Sequence, residues 1–157
     1  MCAEMRIIMK ENTNLEKLEA GLNTAFVDYA NNSSLAYRPE FISNNYQNGK
    51  KVLSSLEYEL LHCDAFSISV AFIKMSGIEP LLQVFKQLEN RGVPGRILTT
   101  DYLTFSEPEA FDKLNSLNNI KLKMYQTEGE KDGFHTKGYI FKDGKIYRII
   151  VGSPNLT

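Results

Sequence analysis

The sequence predicts an α/β fold, a mixed β-sheet flanked by helices, on three observations. Short apolar runs with strand character alternate with segments whose apolar residues recur three and four apart, the pattern of βαβ units. Ser76 with Glu79 and Ser106 with Glu109 have capping-box spacing, each opening a helical segment. Near the C-terminus two strand-like runs are separated by Asp143-Gly144, the strongest short-range hairpin signal.

Taken in order, Leu15, Leu18, Leu22, Ala25, Phe26 and Tyr29 recur at helical spacing and predict a first helix that ends near Asn31-Asn32-Ser33-Ser34. It reads as an arm over residues 1–34, ahead of a domain over 35–157. Val52, Leu53, Leu56, Leu60 and Leu61 mark a second helix between Asn48 and Cys63. Ala65 to Ile73 is a continuous strand-like run ending at the Ser76/Glu79 box. A third helix follows through Leu81, Leu82, Phe85 and Leu88 to Gly92, and Arg96 to Thr100 is the next strand. The Ser106/Glu109 box opens a fourth helix through Phe111, Leu114 and Leu117. Ile120 to Tyr125 is another strand, and the polar loop Thr127 to Gly133 leads into His135.

Length and composition bound the rest. A chain of 157 residues that is 43% hydrophobic and 24% charged fits one ordinary globular domain with a real core. A formal net charge of -1 gives no global signal for nucleic acid, so basic character must be local. Lys50-Lys51, Lys121 with Lys123, and Lys142 with Lys145 and Arg148 are the candidates for such a patch. Cys2 and Cys63 lie far apart without metal-ligand spacing, which argues against a zinc site or a disulfide scaffold and for a reducing cytoplasm. Met1 to Lys10 has too short an apolar core for a signal peptide, and no segment approaches a membrane span. No GxxxxGK[ST], GxSxG or HExxH occurs, so no nucleotide-hydrolysing motor is visible and no cofactor is expected.

The chemistry concentrates at His135-Thr136-Lys137 and Gly152-Ser153-Pro154-Asn155. With a two-residue turn at Asp143-Gly144, Lys142 faces Lys145, Tyr139 faces Arg148, Lys137 faces Ile150 and His135 faces Gly152, opposed residues lying roughly 5 Å apart. Alternation along a strand then puts His135 and Lys137 on one face, beside the loop of Ser153 and Asn155. Gly152 opposite the imidazole leaves room for a phosphate. An unprotonated imidazole can attack phosphorus and form a covalent intermediate. A Lys ammonium, a Ser hydroxyl and an Asn amide supply donors to the non-bridging oxygens, and no metal is required. His62, near the end of an apolar-periodic segment, is explained by a favourable helix-terminus interaction. Tyr102 and Phe105 follow the carboxyl end of a strand, the favoured ligand position in open α/β sheets, and are the aromatics most worth testing.

This arrangement resembles the phospholipase D superfamily, whose motif is HxK followed by GSxN on the next strand. His135, Lys137, Gly152, Ser153 and Asn155 match it residue by residue. The superfamily's usual Asp position is Lys142 here, with Asp143 one place later, so the Asp role does not carry over. That departure is similar to the branch of metal-independent restriction endonucleases and of the nuclease-like domains at the N-terminus of bacterial DEAD/DEAH-type helicases. The stretches Arg38-Pro39-Glu40-Phe41-Ile42, Ser69-Val70-Ala71-Phe72-Ile73 and Arg96 to Leu103 look similar to the helicase-linked group, so the resemblance spans roughly residues 35 to 157.

The resemblance implies a cytoplasmic phosphodiesterase acting on DNA through a phosphohistidine, with His135 as nucleophile and Lys137, Ser153 and Asn155 binding the phosphate. It also implies two histidines per site, hence a homodimer or a second site elsewhere in the chain. The branch supports its histidines with a Glu downstream of Asn155, so the 157 residues are expected to be the front part of a longer protein, with a helicase motor as a possible companion. A module that keeps the phosphate pocket without turnover is the alternative. A lipid-acting phospholipase ranks lowest, because nothing in the sequence makes a membrane-binding face.

Overall fold

The computed structural model describes residues 16, 40–45, 47, 51–127 and 134–157. The chain divides into two compact units, Met1–Lys51 and Val52–Thr157, and the second carries the sheet. The arm expected over 1–34 lies outside the described residues apart from the helical Glu16. Lys50, Arg38, Pro39 and the loop residues 128–133 also lie outside them.

In Val52–Thr157 the elements run α1 (Val52–His62), β1 (Ala65–Ser69), α2 (Met75–Ile78), α3 (Leu82–Asn90), β2 (Gly95–Thr100), α4 (Pro108–Asn115), β3 (Ile120–Tyr125), β4 (Gly138–Asp143) and β5 (Ile146–Val151). The five strands form one mixed sheet in the order β3-β2-β1-β4-β5, with β1, β2 and β3 parallel and the β4–β5 hairpin antiparallel to its neighbours. It is flanked by helices, as the alternation of periods predicts. Crossovers of the usual right hand, stepping one way from β1 to β2 to β3, put α3 and α4 on the same side. That side holds the core: Phe66, Ile68, Ile97, Ile120, Tyr139 and Phe141 from the sheet meet Leu56, Leu60, Phe85, Leu88 and Leu114 from the helices. Phe66 and Phe85 stack with ring centroids 5.9 Å apart.

Along every strand the alternate residues face the other way. Ser67, Arg96, Lys121, Ile140, Lys142, Tyr147 and Ile149 line a groove of about 640 Å³ on that second face. Among the described residues this face is largely open, with Leu98, Ile140 and Ile149 all exposed. Register places Lys121 beside Arg96 and Lys123 beside Leu98, so three of the anticipated patch residues, Lys121, Lys123 and Lys142, share a face with Arg96. Arg148 does not join them. It points to the helix side, where its Nε lies 3.4 Å from Glu59, a carboxyl whose pKa burial raises although Arg148 opposes the shift.

Four local expectations need correction. The first strand ends at Ser69, not Ile73: beyond the Val70 N–H to Leu98 bond the chain leaves the sheet, and Ile73 forms an isolated parallel bridge with Leu156. Neither capping box forms. Lys74 is the N-cap of α2 and Glu107 that of α4, both without a side-chain cap. Pro108 at the start of α4 has no N–H to satisfy, which frees Ser106 and Glu107 for other donors. The third helix proper starts at Leu82, after a 3₁₀ turn over Glu79–Leu81 that contains Pro80. It ends as the Gly92 signal implies, Gly92 at φ +69 donating to the Glu89 carbonyl and Val93 to that of Leu88, the paired bonds of a Schellman motif.

The fourth correction is the hairpin. Asp143 pairs with Ile146, so the two turn residues are Gly144 and Lys145, one place later than Asp143-Gly144. Gly144 has φ +56 and Lys145 no positive φ, the Gly-first pattern of a II′ rather than an I′ turn. Its N–H is bound at 2.8 Å by Asp64 Oδ2, so a carboxylate from the start of β1 chooses the turn. Each pairing moves by two residues: Tyr139 opposes Ile150, and Gly152 donates to the Lys137 carbonyl at 3.2 Å. A shift of two leaves every side chain on its expected face.

Candidate functional site

His135 and Lys137 lie just before β4, whose first residue, Gly138, pairs with Ser69 at the carboxyl end of β1. Ser153 and Asn155 follow the carboxyl end of β5. All four therefore collect at the edge of the sheet where β1, β2, β3 and β5 end, where open α/β sheets usually bind ligands.

Lys137 is only 6% exposed, and its ammonium makes three contacts, all to one residue: 2.6 Å to His135 Nδ1, 2.9 Å to Nε2 and 2.8 Å to the His135 carbonyl. An ammonium can only donate, and a neutral imidazole offers a lone pair on one of its two nitrogens, so only one of the two ring contacts can be a hydrogen bond. The His135 ring also meets Phe72 edge-on, centroids 5.7 Å apart at 65°. Asn155 reaches the same residue from the other strand, its Oδ1 accepting the Phe72 N–H at 3.2 Å. Phe72 thus links His135 to Asn155. With Oδ1 engaged, the Asn155 amide NH₂ is the end left to donate. Ser153 is exposed on the turn after β5. Gly152 stands opposite Lys137, not His135, and a Cβ there would meet Pro154 Cδ at 3.3 Å, so it leaves no room opposite the imidazole.

The GSxN segment is fixed from below and beyond. Tyr139, 1% exposed, donates its hydroxyl to the Pro154 carbonyl at 2.8 Å, and burial pushes its pKa up to about 12. Leu156 bridges to Ile73 and accepts the Lys74 N–H at 2.7 Å. Gly77 in α2 lies so close to this segment that a Cβ there would fall on the Leu156–Thr157 peptide. The strand-exit loop 72–75 is held in turn by Ser106 Oγ, which accepts the Ile73 N–H at 3.1 Å, and by Glu107 Oε2, which accepts that of Met75 at 2.7 Å.

The turn after β2 completes the rim. Leu103 and Thr104 both have positive φ, +56 and +50, a conformation that costs a residue with a Cβ about 1–2 kcal/mol. Asp101 holds it, accepting the Thr104 N–H through its carbonyl at 3.0 Å and the Thr127 N–H and hydroxyl through Oδ1 at 2.9 and 2.8 Å. Those two bonds lower the Asp101 pKa. Phe105, next in the chain, packs edge-on against Phe72 with centroids 5.2 Å apart.

Sequence reasoning passed over Phe72, Tyr139, Ser106, Glu107 and Gly77 as site-building residues. Their roles depend on partners 15 to 83 residues away, which periodicity does not reveal. His62 is where the sequence put it, in the last turn of α1, its Nδ1 2.6 Å from the Tyr58 carbonyl and its ring 4.3 Å from that of Tyr58. It lies at the amino edge of β1, a strand's length from His135. Cys63 is buried, and burial raises its thiol pKa. Among the described residues no three His, Cys, Asp or Glu side chains cluster as a metal site, and no helix is long and apolar enough to cross a membrane. No protein-family model matches the chain, and no curated protein is similar to it in sequence.

Proposed function

We propose that the chain carries a phospholipase D-like phosphodiesterase site that acts on DNA, with His135 as nucleophile. The observation that supports it is the buried Lys137 ammonium held against the His135 imidazole at a strand-end rim. In the first step a His135 ring nitrogen bonds to phosphorus, the P–O bond to the leaving group breaks, and an acid protonates the departing oxygen. In the second step water attacks the phosphohistidine, releasing a phosphomonoester and restoring the imidazole. Lys137, Ser153 and the Asn155 NH₂ donate to the non-bridging oxygens, where charge accumulates.

The leaving-group acid requires a second histidine. These 157 residues hold two, and His62 is committed to α1, so the second comes either from the His135 of another copy or from a second site outside these residues. The same count favours the alternative, a phosphate-binding module without turnover in a helicase or restriction-type protein.

Two measurements on the full chain test the proposal: cleavage of a chromogenic phosphodiester in excess chelator, and ³¹P-detected binding of inorganic phosphate. Wild type should show both, His135→Ala should lose cleavage while keeping the fold, and binding without cleavage selects the module. Cleavage unchanged in His135→Ala refutes the assignment, and strict dependence on added magnesium refutes the covalent route.

A further inference from the structure

We infer that Phe105 is a stacking platform for the nucleobase next to the phosphate at His135, so that the substrate of this rim is a single-stranded nucleic acid. The inference rests on the phosphate reading of His135 and Lys137 and specifies what is attached to that phosphate.

Phe105 is 54% exposed, a large apolar ring offered to solvent beside the candidate nucleophile. It is held in place. Its ring meets Phe72 at 5.2 Å and 66°, and Phe72 meets His135 at 5.7 Å and 65°, so Phe105 and His135 flank one shared ring. The residues before Phe105 adopt positive φ, Leu103 and Thr104, in a turn tied by Asp101 to Thr127 and by Tyr102 N–H to Thr100 Oγ1 at 3.2 Å. Strained backbone that the surroundings over-determine is a mark of ligand clamps. Here its effect is to present the ring before a ligand arrives, which lowers the ordering cost of binding.

The nearest carboxylates in sequence, Asp101 and Glu107, are used internally, by Thr127 and by the Met75 N–H. The ring itself offers an uncharged aromatic surface, and the uncharged π-face of a base is its fitting partner. Stacking on such a ring is tolerant of base identity, because every base offers a π-face.

The test titrates the full chain with three probes: hexathymidylate, an abasic hexamer with the same sugar-phosphate backbone, and dimethyl phosphate. Wild type is compared with Phe105→Ala and with Phe105→Leu, which keeps bulk against Phe72 but has no aromatic face, each variant checked by circular dichroism. Wild type should bind hexathymidylate about tenfold more tightly than the abasic hexamer, and both variants should erase that preference while binding dimethyl phosphate as wild type does. Equal hexathymidylate affinity in wild type and Phe105→Ala overturns the inference, as does a parallel loss of dimethyl phosphate, which would make Phe105 a mere support for His135. If dimethyl phosphate leaves the His135 resonances of wild type untouched while hexathymidylate binding still depends on Phe105, the phosphate reading falls and the stacking surface stands. Absence of binding to all three probes overturns both.

Discussion

Lys137 shows what the candidate site costs. An ammonium that is nearly buried loses several kcal/mol of hydration, and it is compensated here by the carbonyl and ring of a single neighbour two residues away. Lys137→Met keeps the stem and removes the charge. It should leave the melting temperature unchanged or raise it, while weakening phosphate binding or turnover by about 10²- to 10³-fold, as for loss of an oxyanion donor. A thermal melt run beside a phosphate titration separates the two effects. Tyr139 gives a pH signature. Its folded-state pKa is raised to about 12, so its share of stability is complete below the unfolded value near 10 and is lost as pH climbs from there toward 12. Tyr139→Phe should cost about 1 kcal/mol at neutral pH and flatten that alkaline loss, as read from urea midpoints against pH. Asp101 has the opposite sign: its pKa is lowered, so the stability it gives through Thr127 is present above the unfolded value near 4 and fades as pH falls below it.

Among the elements, the short ones around the site are the least legible from sequence and matter most to it. The long-period signals of α1 and α3, the strand character of β2 and β3, and the hairpin could be read because each is encoded within a dozen residues. The hairpin turn was displaced by one residue because Asp64, 80 positions away, binds the Gly144 amide; the faces survived because the resulting shift is even. Ser106 read as half of a capping box with Glu109 and serves instead the loop after β1, as does its neighbour Glu107. Gly77 in α2 is a clearance for the Leu156–Thr157 peptide. Gly77→Ala should therefore cost about 2 kcal/mol or more, since backbone rather than a side chain must move, and should weaken any ligand binding at Asn155 together with stability. Thr104→Gly acts in reverse: relief of the left-handed strain offsets glycine's entropy, so stability should be unchanged or up by about 1 kcal/mol. Chemical denaturation of the two variants gives both values.

For the whole molecule, the α/β class and the mixed sheet were open to sequence reasoning, while the one-sided distribution of the described helices was not. The anticipated local basic character resolves into Arg96, Lys121, Lys123 and Lys142 on one sheet face, with Arg148 withdrawn to Glu59 on the other. In the proposed two-histidine mechanism with a second copy as the donor, assembly is the decisive whole-molecule variable. General acid assistance contributes roughly 10²- to 10⁴-fold, so turnover should track dimer content across a dilution series followed by sedimentation. Robust turnover from a strict monomer refutes the two-histidine scheme.

The link between Phe72 and Asn155 joins residues 83 apart, and Gly77 faces the Leu156–Thr157 peptide. The parallel pairing of β1 with β2 and of β2 with β3 closes far shorter loops than this link does. Closure of a loop that long is the slow kind of event in folding. In refolding from denaturant the rim should therefore order after the sheet, so that core fluorescence or amide protection recovers before any ligand binding at Asn155 does.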